Sequence, residues 1–354
     1  MGGKDLHNRD GHYMARCIQL ARLGAGNVAP NPMVGSVLVY GDRIIGEGYH
    51  QRYGEAHAEV NCIASVSRYD QPHIPDSTLY VSLEPCAHFG KTPPCADLII
   101  RHKITRVVVG CRDPFEQVNG KGIEKLKAAG VDVTLGVLEP ECRELNKRFF
   151  TFHEKKRPYI ILKWAQTADQ KIAAAPGQPR LLISNDHSNR MVHRWRQEEA
   201  AIMVGRKTVE VDNPSLSNRL WMGNSPLRLV LDPLLTLESS SDVFDGNIPT
   251  IVFNHLKEEE RPNLHYMQVA SGPNLLAKIL FLLHRRNITS VLVEGGAQLL
   301  NTFISEGIWD EARIITNQAK RIGAGLAAPE LPFYQRLSST RSTTDLTEIF
   351  INQA

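Results

Sequence analysis

One histidine, two cysteines and a carboxylate carry the chemistry this sequence most directly offers. They lie in three short segments, His57-Ala58-Glu59, Glu84-Pro85-Cys86 and Pro93-Pro94-Cys95. An imidazole and two thiolates suit Zn2+ and leave its fourth tetrahedral position for water. A metal open in that way lowers the pKa of its water to about 7, so hydroxide is available at neutral pH. Hydrolytic deamination then needs a carboxylate that is not a ligand to carry protons. Glu59, two residues beyond His57, is the candidate. Residues i and i+2 do not share a helix face, so both must sit in the first turn of a helix, with the metal off its end. Cys95 should open a helix whose dipole favours the thiolate. Eight residues separate the two cysteines, against two in the general deaminase pattern. A non-enzymatic zinc module would need no Glu59.

The elements that must hold these residues follow from periodicity. His12–Leu23 predicts an amphipathic helix, and Val34–Tyr40 with Arg43–Tyr49 a hairpin about Gly41-Asp42. Further helices are predicted at His57–Ser67, Ala96–His102, Gly122–Ala129 and Glu139–Phe150, and strands at Thr78–Leu83, Arg106–Cys111 and Val131–Leu135. Such alternation means an α/β layer with a partly parallel sheet. The basic segment His153–Pro158 interrupts it and places a boundary between domains 1–152 and 153–354. Two domains suit 354 residues, since single cores rarely grow past about 250–300. Alternation then resumes. Strands are predicted at Tyr159–Trp164, Ala201–Gly205, Leu227–Leu231, Thr250–Phe253, Ser290–Val293 and Ala312–Thr316, with an edge strand at Asp345–Ile351. Helices are predicted at Asn185–Gln197, Pro273–Arg286 and Gln298–Glu306.

Composition narrows the class. A formal charge of +3 predicts no nucleic-acid or membrane partner. There is no apolar leader and no run of about 18 apolar residues, so a cytoplasmic protein is expected. Six cysteines in such a chain read as reduced thiols or ligands, with Cys17, Cys62, Cys111 and Cys142 as small buried apolar residues. Gly24-Ala25-Gly26-Asn27-Val28-Ala29 mimics a dinucleotide fingerprint but follows a helix rather than a strand, so it reads as a helix end and loop. In the second half, Val291-Leu292-Val293-Glu294-Gly295-Gly296-Ala297 reads as strand, glycine pair and helix, a form that can receive a phosphate.

Asn31-Pro32-Met33-Val34-Gly35, His57 to Asn61 and Glu84 to Cys95 resemble the bacterial bifunctional deaminase/reductase family of riboflavin biosynthesis, whose cysteines carry this long insert. The resemblance implies a cytidine-deaminase-like α/β/α domain followed by a dihydrofolate-reductase-like α/β domain. It implies zinc-hydroxide deamination of 2,5-diamino-6-(5-phosphoribosylamino)pyrimidin-4-one, with His57, Cys86 and Cys95 as metal ligands and Glu59 catalytic. Asn31, His50, His88 and Lys91 would hold that substrate. Phe115 stands where the family usually has Asn.

Lys163, the segment Thr208 to Leu216 and Glu294-Gly295-Gly296 resemble the reductase half, which uses NADPH to convert the ribosyl group to ribityl. By that likeness Lys163 is catalytic, and Arg196, Leu216, Arg219 and Glu294 bind substrate. Ala165, Leu182, Thr208, Asp212, Gly295, Gly296, Ala297, Gln298, Leu299 and Leu300 lie near the cofactor. A homo-oligomer acting on a small molecule is expected. Gln170 replaces a usual Gly, Leu182 falls where Trp is common, and Pro179-Arg180 marks a small insertion. These departures keep an alternative open: a monofunctional zinc deaminase of another amino-heterocycle or nucleoside with a degenerate C-terminal domain. Arg206 and Lys207, after a strand, are candidates for the 2′-phosphate of NADPH.

Overall fold

Alternating apolar and mixed segments in the first half build a five-stranded sheet. The computed structural model describes residues 3–87, 93–175, 177–179 and 181–353, which fall into two units, Met1–Lys155 and Lys156–Ala354. In the first, the chain runs α1 (Gly3–Ala21), β1 (Gly35–Tyr40), β2 (Arg43–Tyr49), α2 (Ala58–Ala64), β3 (Thr78–Leu83), α3 (Cys95–Arg101), β4 (Arg106–Cys111), α4 (Lys121–Ala128), β5 (Asp132–Leu135), α5 (Glu139–Leu145) and α6 (Lys147–Glu154). The strand order is β2-β1-β3-β4-β5. β1 is antiparallel to β2 and β3, whereas β3, β4 and β5 are parallel.

Side chains alternate across the pleat. Val37, Val39, Tyr80 and Val108 pack with Met14 and Ile18 of α1, Cys142 of α5 and Phe149 of α6. Leu38, Leu79, Val81, Val107 and Val109 pack on the other face with Cys62 of α2, Ile99 of α3 and Leu126 of α4. The helix that must carry His57 approaches β2 closely. A Cβ at Gly48 would lie 2.2 Å from the Cys62 nitrogen, so only glycine lets α2 settle there.

The single helix expected over Glu139–Phe150 is two. Asn146, with φ −108°, leaves the helical register and turns its amide to Met33, accepting from its nitrogen at 2.8 Å and donating to its oxygen at 2.9 Å. A side chain bonding distant backbone competes with helix continuation.

The second unit runs β6 (Tyr159–Thr167), β7 (Lys171–Ala174), α7 (Asp186–Glu198), β8 (Ala201–Gly205), α8 (Arg206–Asp212), β9 (Leu227–Leu231), β10 (Thr250–Asn254), β11 (Glu259–Arg261), β12 (Leu264–Gln268), α9 (Leu275–Arg285), β13 (Ser290–Val293), α10 (Ala297–Ser305), β14 (Glu311–Asn317), β15 (Gly325–Ala327), β16 (Tyr334–Ser342) and β17 (Asp345–Asn352). Its large sheet is ordered β11-β12-β10-β9-β8-β13-β6-β14-β17-β16, with β15 and β7 forming a separate pair. Strands β12 through β14 in that order are parallel. Their unbroken apolar runs, such as Ile160-Ile161-Leu162 and Val291-Leu292-Val293, are buried on both faces, as parallel strands require. The strand expected at the tail is not an edge. β17 pairs with both β14 and β16, and β16 is the true edge. The sequence hides β16 because Tyr334–Ser342 is polar and exposed on both faces. Helix α8 was likewise unexpected.

Candidate functional site

His57 is the N-cap of α2, with φ −71° and ψ 165°, so its imidazole projects off the helix end. Glu59 follows in the first turn and is buried. Cys86 leaves the end of β3, and Cys95 is the first residue of α3. His57 Nδ1 lies 3.3 Å from Cys95 Sγ and 3.6 Å from Cys86 Sγ. These ligand atoms all fall within 4.8 Å of one another, and one nitrogen with two sulfurs is a donor set that fits zinc. The Cys95 backbone N–H donates to Cys86 Sγ at 3.3 Å. The Cys86 thiolate is favoured, first by the bond from the Cys95 thiol and also by His57, while that same bond and burial push the Cys95 thiol up. Burial pushes the Glu59 carboxyl up to about 7, with His57 pulling it down. A carboxyl there is suited to giving and taking protons near neutrality.

The structure brings Asn31 and His50 to the same place. The His50 ring stands edge-on to His57, with centroids 5.6 Å apart. Its Nδ1 lies 3.1 Å from the Ala56 carbonyl and its Nε2 3.2 Å from Asn31 Nδ2. That geometry fits the tautomer protonated at Nδ1, with Nε2 accepting from the amide. Burial lowers the His50 pKa and keeps the ring neutral. His88 and Lys91 lie outside the described residues. Phe115 donates its N–H to Asp113 Oδ1 at 2.8 Å. Its ring packs on the core beside His153, 5.0 Å between centroids.

A second cluster forms in the C-terminal unit. Lys163 projects from β6, Arg196 from α7, and Glu294 immediately follows β13. Arg196 grips Glu294 with two bonds of 2.8 Å and donates to the Ser217 carbonyl at 3.0 Å. Lys163 Nζ stands 3.9 Å from Glu294. Burial lowers the Lys163 pKa, with Glu294 opposing. Burial would raise Glu294, but Arg196 and then Lys163 hold it at about 2. His193 belongs here and was missed in the sequence. It accepts from the Arg219 N–H at 3.1 Å, and burial, reinforced by Arg196, lowers its pKa to about 4. Its i,i+3 spacing to Arg196 on α7 was the available signal.

Gly295 and Gly296 present bare backbone ahead of α10. Gly295 has φ +117°, and a Cβ on Gly296 would meet Thr208 Oγ1 at 3.1 Å. The Gly205 N–H donates to the Gly295 carbonyl at 3.0 Å, joining the ends of β8 and β13. This cradle, with Ala297 and Gln298 opening α10, can receive a phosphate group. Other expected residues are placed differently. Leu299 and Leu300 turn their side chains into the core. Leu216 is also in the core, at φ +49°. Only backbone from these three can face a ligand. Ala165 shares the Lys163 face of β6 and packs beneath α7. Leu182 is exposed, and its carbonyl takes the Lys320 ammonium. Asp212 is the last residue of α8. Arg219 folds back onto Ser215 Oγ at 3.1 Å. Arg206 pairs with Glu210, and Lys207 is exposed. Gln170, in the turn between β6 and β7, sits at φ +58°.

Residues 7–111 match the cytidine and deoxycytidylate deaminase zinc-binding region, and residues 158–345 match the RibD C-terminal domain. The riboflavin biosynthesis protein RibD of Aquifex aeolicus is 41% identical over 329 residues, covering 91% of this chain and 90% of that protein. Its counterpart in Escherichia coli is 33% identical over 322 residues, covering 86% of each. The crystal structure of the Thermotoga maritima diaminohydroxyphosphoribosylaminopyrimidine deaminase/5-amino-6-(5-phosphoribosylamino)uracil reductase is 37% identical. It covers 98% of this chain and 99% of its own, with a TM-score of 0.88. Acinetobacter baumannii RibD, 29% identical over 98% of this chain, gives 0.87. Both halves are matched, so a degenerate second domain is not favoured, and the cofactors are zinc and NADPH. The chain belongs to the RibD family, the bifunctional deaminase/reductases of riboflavin biosynthesis.

Proposed function

We propose that domain 1–152 deaminates the ring of 2,5-diamino-6-(5-phosphoribosylamino)pyrimidin-4-one and that domain 153–354 reduces the ribosyl group of the product to ribityl. The observation that carries the first step is the buried Glu59 beside three convergent ligand atoms. His57, Cys86 and Cys95 hold zinc, which supplies Lewis acidity and makes water a nucleophile near neutral pH. Glu59 takes a proton from the attacking water and gives it to the ring nitrogen, then takes the remaining hydroxyl proton of the adduct and gives it to the amino group, which leaves as ammonia while the carbonyl forms. Asn31 and His50, with His88 and Lys91, hold the substrate.

In the second domain Thr208, Asp212, Ala165, Leu182 and the segment Gly295 to Leu300 position NADPH, which supplies the hydride. Lys163 orients the opened sugar and gives its proton to the imine nitrogen, the counterpart of the hydride that NADPH would supply to C1; its burial makes the ammonium a readier donor. Arg196, Arg219 and Glu294, with the Leu216 backbone, hold the substrate. A cytoplasmic homo-oligomer without nucleic-acid or membrane partners is the setting proposed. Among the described residues no helix is long and apolar enough to cross a membrane.

The test follows ammonia release and NADPH oxidation together on this substrate. Ammonia followed by NADPH consumption is expected. Ammonia alone would leave only the first half of the proposal standing. A zinc-loaded chain that releases no ammonia would overturn the substrate.

A further inference from the structure

Near the ligand cluster lies a buried carboxylate that neither binds metal in this reading nor carries the proton. Glu84 follows β3, two residues before Cys86, and is 4% exposed. Its own N–H donates to the Cys111 carbonyl at 3.0 Å. Its Oε2 accepts from the Gly120 N–H at 2.9 Å and from Asp113 at 3.3 Å. Its Oε1 accepts from Gly122 at 3.0 Å and Ile123 at 3.3 Å. Gly120 is the N-cap of α4, so the carboxylate occupies the positive end of that helix and satisfies its orphan donors. One side chain thus ties the end of β3 to the turn after β4 and to the start of α4.

The other side of Cys86 is anchored as well. Its carbonyl accepts from the Ala96 N–H at 3.1 Å, and its sulfur accepts from the Cys95 N–H. The intervening Pro85 has no freedom either. A Cβ at Gly122 would lie 1.9 Å from the Pro85 oxygen. Glu84, Pro85 and Cys86 are therefore pinned between α3 and α4, with the thiolate at one end of the pinned segment and the carboxylate at the other.

We infer that Glu84 is a positioning residue for the metal: it holds the Cys86 sulfur at the separation from His57 and Cys95 that zinc requires. The inference rests on reading those three residues as zinc ligands. Only a carboxylate of this length offers acceptors to all four N–H groups. The amide of a glutamine would set its own N–H2 against one of the two pairs and leave buried donors facing each other. Groups that hold ligands from behind typically cost 10–100-fold in metal affinity when replaced.

The experiment measures zinc affinity of the full-length Glu84→Gln chain by competition with a chromophoric chelator, and records the thiolate-to-metal absorption after cobalt substitution. NADPH affinity of the same sample reports the fold of the other unit. Expected are a zinc Kd raised about 10–100-fold, a shifted cobalt spectrum and unchanged NADPH affinity. A Kd within twofold of the parent and an unshifted spectrum would overturn the inference, even if the melting temperature falls, because Glu84 would then serve stability alone. Should Glu84→Gln not accumulate, Glu84→Asp, which withdraws the carboxylate by one methylene, is read in the same way. A parent chain that binds no stoichiometric zinc would instead sink the ligand reading itself.

Discussion

Arg196 and Glu294 form a two-pronged ion pair in the interior of the C-terminal unit, with both bonds at 2.8 Å and both side chains largely buried. Lys163 is the second cation on the same carboxylate. Glu294→Gln would leave two buried cations without their counter-charge. Breaking such a pair by removing one partner costs about 3–5 kcal/mol. Urea denaturation should show a loss of that order in the unit containing Glu294. NADPH oxidation should collapse while ammonia release persists.

His193 gives the C-terminal unit a pH dependence of definite sign. Its folded pKa, about 4, lies below the ordinary histidine value of about 6.5. The unfolded chain therefore takes up the proton first. Stability is full above pH 6.5 and falls as the pH drops from there toward 4. His193→Gln should flatten that part of the urea-midpoint profile. The same variant loosens Arg219, so KM for the sugar phosphate should rise more than KM for NADPH. A profile identical to the parent's would count against this role.

Glu59→Gln keeps the volume and removes the titrating group. A positioned acid–base contributes about 10²–10⁴-fold, so ammonia release should fall by at least 100-fold. Zinc content, measured by atomic absorption, should stay at the parent level. NADPH oxidation of the already deaminated substrate should be unaffected.

Gln170 occupies backbone that glycine adopts without cost, at φ +58°. A side chain in that region costs roughly 1–2 kcal/mol, and glycine loses part of the gain through unfolded-state entropy. Gln170→Gly should stabilise by about 0.5–1 kcal/mol. Calorimetry should then show a rise of about 1–4 °C for a unit of this size.

Lys207 is the exposed cation left after Arg206 pairs with Glu210. If it meets the 2′-phosphate, Lys207→Glu should raise KM for NADPH at least tenfold more than KM for NADH. Equal effects in steady-state kinetics would exclude that contact.

Much of the zinc cluster was legible because its chemistry is local. His57 and Glu59 share one helical turn, and Cys86 and Cys95 mark element ends with preceding prolines. His193 and Glu84 were not legible as partners, since their roles depend on backbone N–H groups at 219 and at 113–123. The side-chain directions of Leu216, Leu299 and Leu300 were equally hidden, because motif likeness places a residue near a ligand without saying which way it faces. Periodicity found the buried parallel strands and missed β16, whose polar residues carry no period. It also ran through Asn146, where a bond to Met33 overrides helix propensity.

The order of the large sheet also bears on how the chain is made. β6 lies between β13 and β14, yet more than a hundred residues separate it from either in sequence. At about 5–20 residues per second, an apolar strand leaves the ribosome roughly 6–25 seconds before its neighbours exist. The N-terminal unit has all its strands by Leu135 and can close while that wait begins. Newly made chains should therefore pass through a state with one finished half and one adhesive, unpaired strand, the form a chaperone would meet.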